Sequence, residues 1–200
     1  MEVLTEYILT FGYIALLATI YAESGLFFAF FLPGDSLLFT AGIFAARGDL
    51  NIVAICIGCF VAAILGNQTG YWFGAKVGKS LYNKPDSFLF RKEHIKKTQA
   101  FFDQYGSTAI VIARFAPVIR TFAPILAGVV AMDYKRFTLF NILGSVLWAI
   151  LIPLLGYWLG NVIPDIDRYL LPILAVLIIG SLLPAIWHLW PKKKSGHDQV

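Results

Sequence analysis

Residues 31–38 read Phe-Leu-Pro-Gly-Asp-Ser-Leu-Leu, in the middle of an otherwise apolar segment from 24 to 48. Pro33 and Gly34 disfavour a continuous helix, and Asp35 is costly in hydrocarbon. The segment is therefore not a simple membrane span, which needs about 20 consecutive apolar residues. We expect a helical hairpin that enters the membrane and returns to the side from which it came. The preceding apolar segment, 11–32, is long enough to span by itself apart from Glu23, which would place the N-terminus inside, so whether it is re-entrant or spans stays open.

A second apolar segment, 106–131, is interrupted in a comparable way. Pro117 and Pro124 break it, and Arg114 and Arg120 place two positive charges inside it. Irregular backbone at membrane depth is tolerated only where protein or a water-filled cavity surrounds it. Both breaks therefore indicate the position of a functional site. Three further segments have the length and composition of ordinary membrane spans: 50–75, 137–160 and 169–190.

The overall composition agrees with a single membrane domain, residues 1–200. Of all residues 58% are hydrophobic and only 14% are charged, against about 25% charged residues in soluble domains. A soluble enzyme and a disordered chain are excluded, because a soluble core of this size could not bury so much apolar surface. Cys56 and Cys59 lie in an apolar span, so we expect them to pack and not to perform redox chemistry or bind a metal. We expect no cofactor.

Sliding the sequence along itself by 86 residues aligns several glycine motifs. We interpret this as an internal duplication, with repeat 1 at 10–75 and repeat 2 at 105–160. Each repeat holds one hairpin and one span, so it crosses the membrane once, and the second copy must be inverted. Inverted repeats with broken helices are typical of secondary transporters. The aligned motifs are Gly70-Tyr71-Trp72 with Gly156-Tyr157-Trp158, Ala41-Gly42 with Ala127-Gly128, and Gly58 with Gly144.

The positive charges set the expected topology. Segment 76–104 carries seven Lys/Arg residues, and Lys192–Lys194 close the last apolar stretch, so both regions should be cytoplasmic. We interpret 76–104 as a basic loop with an amphipathic helix over 87–104, followed later by a last membrane helix at 166–190 and a tail at 191–200. The predicted fold is an all-α polytopic membrane protein. It combines an inverted repeat of re-entrant hairpin plus membrane helix with an additional C-terminal membrane helix.

Four charges lie inside apolar segments: Glu23, Asp35, Arg114 and Arg120. Each costs about 2.5–3.5 kcal/mol at the centre of a membrane helix on insertion scales, so each must pair or line a cavity. The inverted fold would bring the two acids of hairpin 1 to the two arginines of hairpin 2. One interpretation is a pair of buried salt bridges that only locks the hairpins. The other is a site for a substrate and protons, which intramembrane charges usually mark.

The chemistry of these groups favours a phosphate-containing substrate. An arginine stays charged, and its planar fork matches phosphate oxygens. Helix N-termini at Ser36 and Thr121 would add backbone donors, and the two acids would accept protons, since burial favours the neutral form of a carboxyl group. Two alternatives stay open. Asp35 or Ser36 could cap a helix, and Asn67 and Gln68 could line the cavity or provide polar packing between helices.

Five motifs occur together in this chain: Glu23, Phe31–Leu38, Gly70–Gly74, Arg114–Thr121 and Gly128. In combination they resemble the DedA family, bacterial members of the superfamily with the SNARE-associated or VTT domain, over roughly residues 10–160. The resemblance implies that Glu23 and Asp35 are proton-linked acids and that Arg114 and Arg120 are essential basic residues. It also implies lipid transport. The expected substrate is undecaprenyl phosphate, the cell-wall lipid carrier, moved from the outer to the cytoplasmic leaflet.

Neither spacing nor composition distinguishes undecaprenyl phosphate from a glycerophospholipid. A broad phospholipid scramblase and a proton-coupled ion transporter are therefore alternatives. An enzyme is not expected, because no nucleophile–base pair or metal-ligand set is present. We expect a multi-pass protein of the bacterial cytoplasmic membrane with its C-terminus inside. Its expected partners are a lipid and protons, without nucleic acid, and a homo-oligomer stays open.

Overall fold

The computed structural model describes residues 2–26, 29, 32–81, 102, 104–115, 117–163 and 172. Within these ranges the chain is helical and contains no strand, which confirms the all-α class. The predicted last helix at 166–190, the tail at 191–200 and the amphipathic helix within 76–104 lie essentially outside the described residues. The helices are α1 Glu2–Gly25, α2 Gly34–Ala46, α3 Ile52–Leu81, α4 Thr108–Ala113, α5 Pro117–Val129 and α6 Tyr134–Val162.

Two helices of the described chain are long and apolar enough to cross a membrane. They are Ile52–Gly78 within α3, with a mean hydropathy of 1.9, and Tyr134–Val162, with a mean hydropathy of 2.1. Both coincide with spans that the sequence predicts, at 50–75 and 137–160. A soluble protein would bury a continuous apolar stripe, but α3 leaves one exposed. This stripe consists of Val53, Ile57, Val61 and Leu65.

The long helices begin at side-chain caps that follow tight turns. Asn51 Oδ1 accepts from the backbone N–H of Val53 at 2.9 Å and caps α3. Asp133 Oδ1 accepts from the N–H of Arg136, also at 2.9 Å, and caps α6. The turn before α3 uses Gly48 at a φ of +84°, a conformation that glycine adopts without steric cost. These signals fix where each span starts.

The first short helix begins close to the predicted break. Helix α1 ends at Gly25, before the end of its apolar segment at residue 32, and α2 begins at Gly34. Residues 26–33 are thus outside the α-helices wherever the structure describes them. Helix α2 then extends to Ala46.

The second break lies at Pro117 and not at Pro124. Helix α4 ends at Ala113, and Pro117 is the first residue of α5, where the missing N–H costs little. The break expected at Pro124 is wrong, because α5 continues through it to Val129. Proline is tolerated inside membrane helices when a neighbouring helix packs against it, and Pro124 is fully buried close to Gly70 of α3.

Each of the short helices α2 and α5 packs mainly on the long helix that does not follow it in the chain. Helix α2 packs on α6, and α5 packs on α3. A Cβ at Gly42 would collide with the carbonyl oxygen of Pro153, and a Cβ at Gly128, which the 86-residue offset aligns with Gly42, would collide with that of Tyr71. Both aligned glycines therefore lie at a close backbone contact between a short and a long helix. The internal duplication, the inverted orientation and the re-entrant path of the hairpins remain predictions.

Two buried clusters occupy the interior. The larger lies between α1, α2, α3 and α6 and includes Ile20, Leu38 and Ile55. The smaller lies between α3, α4, α5 and α6 and includes Ile110 and Phe137. Helices α3 and α6 contribute to both clusters. They therefore form a central pair on which the shorter helices are positioned.

Glycine substitutions test this packing. We expect Gly42→Ala and Gly128→Ala each to lower the free energy of unfolding by about 1–3 kcal/mol, because overpacking forces the backbones apart. Gly12→Ala is the matched control. No heavy atom of the described chain lies within 4 Å of a Cβ at Gly12, so we expect no loss, or a gain of about 0.5–1 kcal/mol in helix stability. Equal melting temperatures for all three variants in detergent would contradict the glycine contacts.

Candidate functional site

Arg120 lies between two carboxylates. Its Nη1 donates to Asp35 Oδ1 at 2.5 Å, and its Nη2 donates to Glu23 Oε1. The Glu23 and Arg120 side chains are almost fully buried, with exposed fractions of 3% and 8%, whereas that of Asp35 is 29% exposed. One guanidinium therefore binds two acids, and this group carries one net negative charge when both acids are ionised.

Three helix ends bring these groups together. Glu23 lies in the last turn of α1, Asp35 in the first turn of α2 and Arg120 in the first turn of α5. An acidic side chain is favourable at a helix N-terminus, which suits Asp35. A Cβ at Gly34 would collide with Glu23 Oε2. Glycine at this position therefore lets the carboxylate lie directly against the start of α2.

Trp148 of α6 packs on the side of this cluster. Its Nε1 donates to Asp35 Oδ1 at 2.7 Å, and Arg120 Cζ lies 4.7 Å from the ring centroid. One side chain thus supports the ion pair by a hydrogen bond and a cation–π contact. The sequence prediction did not include Trp148. The missed signal is its spacing, because Asn141, Ser145 and Trp148 stand at i, i+4 and i+7 and share one helix face.

Arg114 has neutral partners, so the alternative interpretation of two buried salt bridges does not hold for this arginine. Its Nη2 donates to Asn141 Oδ1 and to Ser145 Oγ, both at 2.6 Å. Among the described residues, no carboxylate lies within ion-pair distance of this guanidinium. The break at Pro117 explains the difference. Arg114 follows α4, which packs on α6, whereas Arg120 belongs to α5 beside both acids.

A glycine and an asparagine complete the Arg114 pocket. A Cβ at Gly144 would lie 2.8 Å from Arg114 Cδ and Nε, so glycine leaves room for the side chain. In one orientation of its amide, Asn67 donates to Asn141 Oδ1 at 2.7 Å. In the other it donates to the Ser24 carbonyl oxygen at 2.8 Å and accepts from Arg114. Either orientation makes Asn67 part of the polar site. By contrast, Gln68 packs α3 on α6 by donating to Thr138 Oγ1 at 3.0 Å.

The two arginine pockets are neighbours along α6. Ser145 contacts Arg114, and Trp148, less than one turn further on, contacts Arg120. Several buried polar atoms of the site residues and of their chain neighbours have no hydrogen-bond partner in the part of the chain that the structure describes. Buried polar groups are normally paired, so these atoms have unused capacity for a polar ligand. Among them are Glu23 Oε2, Ser36 Oγ, Arg114 Nε and Thr121 Oγ1.

The helix N-termini differ in detail from the prediction. Helix α2 begins at Gly34 with Pro33 as its N-cap and without a side-chain cap, so the capping role considered for Asp35 or Ser36 is wrong. Ser36 still lies in the first turn, where backbone N–H groups have no helical partner. Thr121 is the fifth residue of α5, beyond those first-turn donors. Its buried hydroxyl, and not its N–H, is the group left without a partner.

A comparison with known families explains the combination of motifs. A family model described as the VTT domain matches residues 32–158. The chain belongs to the VTT-domain family. It is 36% identical to Protein DedA of Escherichia coli strain K12, over 96% of this chain and 90% of DedA. These matches confirm the resemblance to the DedA family.

Further relatives of this VTT-domain chain are also named as membrane proteins. It is 32% identical to the inner membrane protein YqjA of the same E. coli strain, over 90% of this chain and 85% of YqjA. It is 40% identical to an uncharacterized membrane protein of Mycobacterium leprae, over 87% of this chain and 79% of that protein. No solved structure matches the chain significantly. Together with the two apolar helices, these names identify a membrane protein.

Trp148 offers a test of how the VTT-domain site is held together. Trp148→Phe keeps an aromatic face for Arg120 but removes the N–H bond to Asp35. We expect a loss of about 1.5–3 kcal/mol in unfolding free energy, since the bond is to a charged group. Trp148→Leu should lose about 0.5–2 kcal/mol more, because the cation–π contact disappears as well. Trp158→Phe, at a 60% exposed position on α6, is the matched control. Equal thermal stability of all three variants would contradict the arrangement.

Proposed function

We propose that this VTT-domain protein is a lipid-phosphate translocase. Its substrate is undecaprenyl phosphate, moved from the outer to the cytoplasmic leaflet for reuse in cell-wall synthesis. The observation that carries the proposal is the contrast between two buried arginines on neighbouring sites, one neutralised by acids and one not. The translocase has no catalytic residue, because a lipid is moved and no bond is broken.

Arg114 supplies a permanent binding charge. A buried guanidinium surrounded only by amide and hydroxyl groups is unfavourable in the empty site, and an anion compensates it. Its Nε is without a partner among the described residues and provides a free donor. The fork geometry of arginine makes two parallel bonds to phosphate oxygens, which a lysine ammonium does not.

Arg120 supplies a second charge that depends on protons. With both acids ionised, the two arginines and two acids sum to zero, and Arg120 is occupied. When Glu23 and Asp35 each take up a proton, the sum becomes +2, and Arg120 is free to bind an anion. A phosphate monoester carries a charge of about −1.5 to −2 at neutral pH, so the protonated site matches it. Deprotonation on the cytoplasmic side restores the ion pairs and releases the lipid.

The membrane arrangement belongs to the same proposal. Helices α1–α2 and α4–α5 form two re-entrant hairpins of an inverted repeat, and the chain ends on the cytoplasmic side of the bacterial membrane. Support comes from the matched glycine contacts of α2 on α6 and α5 on α3. It also comes from the location of all four charges at helix ends next to the two breaks. The headgroup passes between these ends while the polyprenyl chain stays in lipid.

Leaflet transfer by the purified full-length protein in liposomes tests the proposal. Undecaprenyl phosphate is compared with phosphatidylethanolamine, with and without a pH gradient, and Arg114→Lys and Arg120→Lys are measured beside the wild type. We expect selective transfer of undecaprenyl phosphate that the gradient accelerates and that both lysine variants weaken. Fully active lysine variants would contradict bidentate phosphate recognition.

Two other outcomes separate the alternatives. Equal transfer of both lipids, independent of the gradient, would identify a scramblase and contradict the specific translocase. Ion flux without any lipid transfer would identify a proton-coupled ion transporter. If undecaprenyl phosphate is transferred at the same rate with and without the pH gradient, lipid recognition would be supported and proton coupling would be refuted.

A further inference from the structure

Gly12 differs from the other glycines that the structure describes. Most of them either adopt a positive φ in a turn, as Gly48 does, or lie where a Cβ would collide with a neighbouring backbone, as at Gly42. Gly12 does neither, because no heavy atom of the described chain lies within 4 Å of its Cβ position. Glycine inside a helix costs about 0.5–1 kcal/mol relative to alanine. Close packing therefore does not explain why residue 12 is a glycine. The missing side chain at this position leaves the space beside α1 open.

That space is a groove between α1 and α2. Its volume is about 380 Å³, within the range of small-molecule sites. On α1 it runs from Gly12 to Thr19, and on α2 from Leu37 to Phe44. Each stretch covers seven residue steps, so the groove is about 10 Å long. Tyr13, whose hydroxyl accepts from the N–H of Asn51 at 2.6 Å, lies at the end near the start of α3.

The lining of the groove is apolar even where it contains hydroxyl groups. Thr19 Oγ1 donates to the carbonyl oxygen of Ala15 at 2.8 Å. Thr40 Oγ1 donates to the carbonyl oxygen of Ser36 at 2.6 Å. Both hydroxyls are thus satisfied within their own helices, and the groove presents hydrocarbon to an occupant. Such a lining suits an alkyl or isoprenoid chain.

The other end of the groove leads to the charged site. Glu23 follows Thr19 by one helical turn on the same face of α1, and Ser36 precedes Thr40 by one turn on α2. Glu23 Oε2 and Ser36 Oγ are buried polar atoms without a partner in the described chain. The apolar groove therefore ends within one helical turn of the buried charged group, an arrangement that suits an amphiphile.

We propose that the α1–α2 groove binds the hydrocarbon chain of the lipid whose phosphate is bound by Arg120, next to that phosphate. The inference rests on the proposed function and deepens it, because it adds a chain-recognition site to the headgroup site. Gly12 keeps the groove wide enough for the chain. The groove takes only the phosphate-proximal part of a long polyprenyl chain, and the remainder lies in the bilayer.

The lining favours a hydrocarbon chain over a protein helix as the occupant. Its two threonine hydroxyls are bonded within their own helices, so they offer a partner helix no polar contact. The position of the groove one helical turn from the buried charged group also favours a ligand that carries an anionic head.

Photo-crosslinking of the purified full-length protein in lipid nanodiscs tests the proposal. The probe is a long-chain alkyl phosphate with a diazirine placed about 10–15 Å along the chain from the phosphate, a distance set by the helical rise. The second probe has the same chain and an alcohol in place of the phosphate. Mass spectrometry locates the labels in wild type, in Gly12→Phe and in Ile14→Phe. Ile14 is 59% exposed on α1 outside the groove, so Ile14→Phe is the matched control.

In wild type and in Ile14→Phe, we expect the phosphate probe to label groove residues such as Ala41 and Phe44. In Gly12→Phe the ring excludes about two methylene groups of the chain, so labelling below saturation should fall about tenfold. Undiminished labelling in Gly12→Phe would overturn the groove proposal, even if the protein translocates lipid phosphates. So would wild-type labels confined to residues outside the groove, as expected if a second copy or another segment of the chain covers it.

The alcohol probe separates this inference from the proposed function. Stronger groove labelling by the phosphate probe supports both. Equal labelling by the two probes, blocked in each case by Gly12→Phe, would support the groove as a chain site while contradicting the role of Arg120 in phosphate binding.

Discussion

Arg120→Gln should be strongly destabilised and inactive in leaflet transfer. The substitution leaves Glu23 and Asp35 without their cation, and Glu23 is buried. Removing one partner of a buried ion pair costs about 3–5 kcal/mol, because the remaining charge is uncompensated. We expect this loss in the unfolding free energy measured in detergent at neutral pH. Transfer should disappear as well, since the guanidinium that exchanges acids for phosphate is gone.

A charge-neutral triple variant separates folding from function. Glu23→Gln, Asp35→Asn and Arg120→Gln together remove all three charges and leave side chains of similar size. The triple variant leaves no buried charge of this group without a partner, so much of the stability lost in Arg120→Gln should return. Transfer should not return. A triple variant as unstable as Arg120→Gln would contradict the ion-pair explanation, and a triple variant that transfers lipid would contradict the role of the charges.

Arg114→Met, unlike Arg120→Gln, should keep normal stability while it loses transfer. Its neighbours keep their partners when the guanidinium is removed, because Ser145 Oγ still donates to the Asn141 carbonyl oxygen at 2.7 Å. Asn141 Oδ1 accepts from Asn67 when the Asn67 amide takes the orientation that donates to it. A buried charge without a counter-charge is removed, so the unfolding free energy should stay constant or rise. Transfer should fall by about a hundredfold, the effect of losing one buried charged contact to the headgroup.

Arg136→Met is the matched control for Arg114→Met. Arg136 is exposed in the first turn of α6, away from both arginine pockets, so its replacement should leave both stability and transfer unchanged. A large loss of stability in Arg114→Met would assign this arginine a structural role. Full transfer activity would exclude it from the binding site.

The main elements of the fold could be predicted because a helix that crosses the hydrocarbon core of a membrane needs a long run of apolar residues. Long apolar runs located both ends of α6 to within about three residues and the start of α3 to within two. The end of α3 was predicted too early, because the helix continues six residues past residue 75 into the predicted basic loop. Pro33, Gly34 and Pro117 marked the starts of the short helices, because proline and glycine restrict or release the backbone in known ways. Pro124 shows the limit of this reasoning. Whether a proline breaks a helix depends on what packs against it, and that information lies in α3 and not in α5 itself.

The candidate site was predictable in its charges but not in their pairing. Glu23, Asp35 and Arg120 stand out because charge is costly in lipid, and the structure brings these three together. The neutral surroundings of Arg114 depend on the rotation of α6 relative to α4, which one-dimensional spacing does not encode. Trp148 was missed because its spacing from Asn141 and Ser145 becomes informative only when those two residues are known to line the site.

Lipid-phosphate binding to the variant Glu23→Gln, Asp35→Asn tests the central claim most directly, namely that a phosphate replaces the two acids on Arg120. The melting temperature of the purified variant is measured with undecaprenyl phosphate and with undecaprenol, which has the same chain without phosphate. Without ligand the variant should melt below the wild type, since Arg120 is buried without a counter-charge. We expect undecaprenyl phosphate, but not undecaprenol, to raise its melting temperature more than that of the wild type. Equal shifts with both lipids, or a smaller shift in the variant than in the wild type, would contradict the exchange of acids for phosphate.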